Sequence, residues 1–203
     1  MERTSSKARR IAVLTSGMSR GSNLEALCQA IRKEQAPVEI AFTVVTRRSA
    51  PVHEVCSANN VPAVFISTTD MVKFERELLN KIWENHVNLL VLSGFMKQLS
   101  GLFIMRVGIP ILNIHPALLP RHGGKGMYGM KVHQAVFEAN EKVSGATVHR
   151  VDAQYDHGRI LAQQEVSLAG CLSPEEIASR VLAVEHSLYP KTIIRFVQEK
   201  HHR

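Results

Sequence analysis

The sequence predicts an α/β domain: a mostly parallel sheet with helices on both faces and an antiparallel addition in the C-terminal half. Three observations carry this reading. From Arg10 to Val107, short apolar runs alternate with amphipathic stretches, the pattern of successive strand–helix–strand units. The apolar runs are continuous enough to be buried on both faces, as strands between two helical layers are. After Gly145, two strand-like runs follow one another with only a turn-rich connection between them.

Taken in order, RIAVLT (residues 10–15) reads as a buried strand. A loop of small residues follows, Ser16 to Asn23, and then LEALCQAIRK, whose Leu24, Leu27, Ala30 and Ile31 share one helical face. Strand, glycine-bearing loop and helix together aim free backbone N–H groups at an anion. Ser22 or Asn23 is expected to cap the helix, and Arg20 adds positive charge. The loop matches neither G-x-G-x-x-G nor a Walker loop. Residues 38–46 form a second strand, 52–60 a short helix and 62–66 a third strand. Residues 71–86 repeat apolar positions at helical spacing (Phe74, Leu78, Leu79, Ile82, Trp83), and residues 88–92 form a fourth strand. Ser100 is placed to cap a helix running to Val107. Ile111 begins a fifth strand that Pro116 ends. The glycine-rich stretch 121–130 is a loop, 131–139 a helix, and 145–150 and 160–166 the last strands, with Asp156-His157-Gly158 as a turn signal between them. Ser173-Pro174-Glu175-Glu176 is a helix start, with serine at the cap, proline at the first turn and acids beside it. That helix is expected to break or bend near Pro190.

Composition narrows the function classes. The chain has 203 residues, 45% hydrophobic and 21% charged, which suits one domain: residues 10–198, with basic tails at 1–9 and 199–203. No apolar run is long enough for a bilayer, and MERTSSKARR lacks the apolar core of a secretory signal. Three widely spaced cysteines fit reduced thiols in a cytoplasmic protein. The formal net charge of +7 comes with few aromatics and no nucleic-acid motif, so small anionic ligands are the expected partners rather than nucleic acid or membrane. No H-E-x-x-H or C-x-x-C occurs, so no metal is expected.

ILNIHPALLP (residues 111–120) carries the chemistry. Asn113 and His115 are two apart and so share a face of the strand at its end. An amide donor beside an imidazole suits reaction at a carbonyl, where an oxyanion must be stabilised and a proton moved. Asp156, if brought near, would hold His115 and favour its charged form. Taken alone, N-x-H is more often a polar strand end. His133 and His149 are individually better explained by packing, and Glu185 by solvation.

The combination changes those odds. LSGFM, LNIHPALLP and Asp156-His157-Gly158, behind an SG…GSN loop, resemble the phosphoribosylglycinamide formyltransferases over about residues 10–196, in the same order. The resemblance implies a Rossmann-like formyltransferase fold. It implies transfer of a formyl group from 10-formyltetrahydrofolate, a cosubstrate, to glycinamide ribonucleotide in purine synthesis, by a monomer or weak homodimer. It implies Asn113, His115 and Asp156 as catalytic residues, and Gly21, Ser22 and Asn23 as the phosphate loop. Gly94, Pro116 and Glu185 would contact the ribonucleotide. Met96, Lys97, Gln98, Leu99, Ile111, Leu112, Asn113, Ala153, Gln154 and Tyr155 would line the folate site. His133 and His149 take supporting roles, and a cis peptide is implied at Pro120. Met18 and Ser19 lengthen the phosphate loop, and Met71 and Lys97 stand where many members have arginine. A formyl-folate hydrolase, a tRNA formyltransferase, a non-catalytic nucleotide or folate binder and a basic nucleic-acid binder are the competing readings.

Overall fold

A computed structural model describes residues 8–16 and 20–199; the expected tail positions 1–7 and 200–203 and loop positions 17–19 lie outside the described residues. Arg9–Thr15 (β1) pairs in parallel with Val38–Val45 (β2) on one side and Leu89–Ser93 (β4) on the other. Ala63–Phe65 (β3) extends the sheet beyond β2, and Ile111–His115 (β5) extends it beyond β4, both in parallel. Val143–Arg150 (β6) then runs antiparallel to β5, and Ile160–Ser167 (β7) antiparallel to β6. The order β3-β2-β1-β4-β5-β6-β7 reverses direction between β1 and β4. In a doubly wound sheet that reversal opens a crevice at the strands' C-terminal ends.

Alternation along β1 divides the core. Ile11 and Val13 pack on one face with Ser22–Glu34 (α1), Val52–Ala58 (α2), Met130–Glu138 (α5) and Pro174–Gln198 (α6). Ala12 and Leu14 pack on the other with Met71–Glu84 (α3) and Gly101–Val107 (α4). A strand buried on both faces needs apolar residues at successive positions, and Ile11 to Leu14 supply them.

Three helix starts, those of α3, α4 and α6, are capped by a side chain, and those of α1, α2 and α5 are not. The Ser100 hydroxyl accepts from the Phe103 N–H, the Ser173 hydroxyl from Glu176, and Asp70 from Val72 and Lys73. α1 differs from expectation. It begins at Ser22 behind Gly21 (φ 83°), and neither Ser22 nor Asn23 caps it. Asn23 instead donates to Glu185 Oε2 at 2.6 Å, across 162 residues of sequence. The expected break at Pro190 is also absent: α6 continues through it to Gln198. Pro190, Leu188, Tyr189 and Ile193 are all buried, so packing on the sheet holds the helix on both sides of the lost hydrogen bond. Among the described residues, no helix is long and apolar enough to cross a membrane.

Candidate active site

The crevice predicted by the strand order holds a cleft of about 320 Å³ over the ends of β4 and β5. Asn113 and His115 reach it from β5, Gly94 and Met96 to Leu99 from the turn after β4, and His133 from α5. Asn23 and Glu185 close one side, while Gln154, Tyr155 and Asp156 close another. Pro116 and His149 also line it. Gly21, Ser22, Ile111, Leu112 and Ala153 do not. Ile111 and Leu112 are buried within the strand, and Ala153 meets the cleft wall through its carbonyl, which accepts from Gln98 at 3.4 Å.

The strand pairing places Asn113 directly opposite His149 and His115 opposite Thr147. Cross-strand neighbours of this kind touch. Asn113 Nδ2 lies 3.1 Å from His149 Nε2, and His149 Nδ1 lies 2.9 Å from the Arg150 carbonyl. A carbonyl only accepts, so Nδ1 carries the proton and Nε2 accepts from Asn113. The Asn113 amide is thereby fixed with its nitrogen toward His149 and one N–H left over for the cleft.

Asp156 comes from the β6–β7 connection at φ 55° and joins the two imidazoles. Its Oδ2 lies 3.5 Å from His115 Nδ1 and its Oδ1 3.5 Å from His149 Nε2, and Oδ2 accepts from the Gly124 N–H at 3.0 Å. Burial pushes the Asp156 carboxyl up. The neighbouring His149 and His115 and the hydrogen bond from the Gly124 amide together outweigh it and hold the carboxyl below its ordinary value, so it stays ionised. His115 goes the other way from expectation. It is 3% exposed, and burial lowers its pKa by more than Asp156 raises it. The sequence reading that Asp156 holds His115 charged is therefore corrected: in the free cleft the imidazole is neutral at pH 7. Its Nε2 donates to the His122 carbonyl at 2.8 Å, so the position that titrates is Nδ1, facing Asp156.

Two more cleft groups have displaced pKa values. His133 is pushed down to about 4 by burial and by His115, and its Nδ1 has no hydrogen-bond partner among the described residues. Glu185 is pushed up to about 7 by burial, against the pull of Asn23. Below the cleft, the Tyr189 hydroxyl sits 2.8 Å from the Leu92 carbonyl of β4 and 3.0 Å from the Leu112 carbonyl of β5. Thr147 ties the turn after β5: its hydroxyl donates to the Ala117 carbonyl and accepts from the Leu119 N–H, and Gln163 bonds both Thr147 and the Leu119 carbonyl. The Leu119–Pro120 peptide is cis. None of Thr147, Gln163, His122 or Tyr189 is marked by a motif. Their roles arise from pairing register and backbone carbonyls.

The formyl transferase family model matches residues 9–193. The chain belongs to the formyl transferase family. It is 33% identical over 198 residues to the chloroplastic phosphoribosylglycinamide formyltransferase of Arabidopsis thaliana, covering 96% of this chain and 67% of that protein. It is 31% identical to the phosphoribosylglycinamide formyltransferase of Bacillus subtilis, covering 91% of this chain and 93% of that one. The chain spans about two thirds of the length of the plant relatives and nearly all of the bacterial one. Among solved structures, glycinamide ribonucleotide transformylase 1 from Symbiobacterium toebii superposes with a TM-score of 0.85 at 30% identity, covering 94% of this chain and 88% of that one. The mixed sheet of this formyl transferase is the one expected from its sequence.

Proposed function

We propose that the chain transfers the formyl group of 10-formyltetrahydrofolate to the amine of glycinamide ribonucleotide, yielding formylglycinamide ribonucleotide and tetrahydrofolate in de novo purine synthesis. The observation that carries this reading is the meeting of Asn113, His115 and Asp156 at one end of the cleft, from segments separate in sequence. The names of the relatives at 31–34% identity agree with it.

The ribonucleotide lies on the Asn23–Glu185 side. α1 opens without a side-chain cap, so its first N–H groups and the positive end of its dipole are available to a phosphate. Glu185 accepts from the ribose. The folate lies between the turn at Met96–Leu99 and the Gln154–Tyr155 segment, which puts its formyl carbon near Asn113. Holding both substrates across the strand ends makes attack effectively intramolecular. As the amine nitrogen bonds to the formyl carbon, the carbonyl oxygen becomes an anion. The free N–H of Asn113 donates to it. The proton lost by the amine is taken at the His115 Nδ1–Asp156 pair, and the imidazolium so formed faces the new negative charge. When the carbon–N10 bond breaks, that proton goes to N10 and the carbonyl re-forms. A cytoplasmic location and action as a monomer or weak homodimer complete the proposal.

The test is an absorbance assay of tetrahydrofolate formation from 10-formyltetrahydrofolate, with and without glycinamide ribonucleotide. Product that requires the ribonucleotide supports transfer. Equal product in water alone would replace it with hydrolysis.

A further inference from the structure

The turn from Arg121 to Gly124 supplies one backbone group to each member of the proton-handling pair. The His122 carbonyl accepts from His115 Nε2, and the Gly124 N–H donates to Asp156 Oδ2. Gly123, between them, packs against the Leu119 side chain, with which an added Cβ would clash, and an added Cβ would be in ordinary contact with Asp156 Cβ at 3.4 Å. The geometry of His115 and Asp156 is therefore only as well defined as this turn.

The turn is not held by its own backbone alone. His122 sits at φ 54°, a left-handed conformation that a non-glycine residue keeps only when its surroundings hold it. What holds it comes from outside the cleft. Both carboxylate oxygens of Glu141, between α5 and β6, accept from Arg121 Nη1 at 3.2 Å, and Glu141 Oε1 lies 3.1 Å from His122 Nε2. The His122 ring is 17% exposed and the Glu141 side chain 21%, so this contact is mostly shielded from water, whereas Arg121 is largely exposed. Solvent weakens the exposed Arg121–Glu141 ion pair, whereas the His122–Glu141 hydrogen bond is largely shielded from it.

We infer that His122 and Glu141 are positioning residues for formyl transfer: Glu141 fixes the His122 ring, and the turn so held sets the His122 carbonyl on His115 Nε2 and the Gly124 N–H on Asp156. This deepens the transfer reading and rests on it. Neither side chain reaches the cleft, so neither touches substrate. The effect must therefore appear in turnover rather than in binding.

The test uses the full chain with H122N, E141Q and the double variant. Asparagine tolerates left-handed backbone, so H122N removes the ring contact without adding strain. Glutamine keeps the shape of Glu141 and loses its charge. Each single variant is expected to lower kcat about tenfold, the lower end of what loss of an outer partner of a functional imidazole costs, with KM for both substrates within about twofold of wild type. The double variant is expected to fall no further than the lower single, because the two residues act as one unit. In 15N-histidine spectra of the free protein, the His115 Nε2 proton should exchange faster in all three. Unchanged kcat in both singles, multiplicative losses in the double, or losses carried by KM would overturn the inference. A wild-type chain that transfers no formyl group would refute the functional reading instead, and the His115 exchange rate would still judge the Glu141–His122 tie by itself.

Discussion

Replacing Glu185 with glutamine tests the electrostatics of the cleft through stability alone. Glu185 is 8% exposed and accepts a hydrogen bond from the Asn23 amide, and burial outweighs that pull and raises its pKa from the ordinary 4.5 to about 7. In the unfolded chain the carboxyl ionises at its ordinary value. Between pH 4.5 and 7 the native state therefore holds a proton that the unfolded state has lost, and native stability falls as pH rises through that window. At about 1.4 kcal/mol per pH unit, the loss is complete above about pH 8 and amounts to about 3 kcal/mol. A glutamine side chain keeps a carbonyl for Asn23 and cannot ionise, so Glu185→Gln removes this slope. The assay is urea unfolding of both proteins at constant ionic strength from about pH 4.5 to about pH 8.5, which spans the titration. The other titrating groups are shared and cancel in the difference. The variant should gain on the wild type as pH rises, by about 3 kcal/mol over the window, while its KM for the ribonucleotide increases. Parallel stability curves would mean that Glu185 ionises freely in the folded protein, and would refute the argument.

Asn113→Ala should leave the chain folded and lower kcat about a hundredfold to a thousandfold, measured in the same transfer assay, because the oxyanion loses its fixed donor. Gly21→Ala combines a left-handed φ of 83° with a Cβ 2.7 Å from Val52 Cγ2, and Val52 is fully buried. Strain alone costs about 1–2 kcal/mol, so its melting temperature should fall further than that of Gly126→Ala, which has φ 90° and nothing within 4 Å. The KM for ribonucleotide should rise only in the first. Tyr189→Phe should cost about 1–2 kcal/mol in urea unfolding, since it removes the hydroxyl shared by the Leu92 and Leu112 carbonyls.

The parallel half of the fold was legible because each strand there is a short apolar run and each helix repeats its apolar positions locally. The residues proposed as catalytic stood out for a similar reason: Asn113 and His115 share a face of one strand, and Asp156 sits in a turn signal. What escaped is what depends on distant partners. Asn23 reads as a helix cap because its neighbours in sequence offer it that role; only folding brings Glu185 within 2.6 Å and draws its amide away. The charge on His115 was misread because a nearby carboxylate can be guessed from a motif, whereas near-complete burial cannot, and here burial outweighs the carboxylate. His122 was invisible because its contribution is a backbone carbonyl, which every residue has. Pro190 was read as a break because the rule for proline concerns an isolated helix, and this one is pressed into the core along its length.

Glu185 and Tyr189 are four residues apart on α6, about one turn of a single helix. The first faces the cleft and the second holds β4 and β5 together through the Leu92 and Leu112 carbonyls. The distance from the acid at one end of the cleft to the strand that carries Asn113 and His115 is thus set by helix pitch rather than by any loop. Insertions and deletions around residues 125–130, beyond the turn that holds His115 and Asp156, can accumulate without changing that spacing. Such a gauge lets a lineage remodel the rim of its cleft and retune which molecules enter, while the span across which two reactants must meet stays constant.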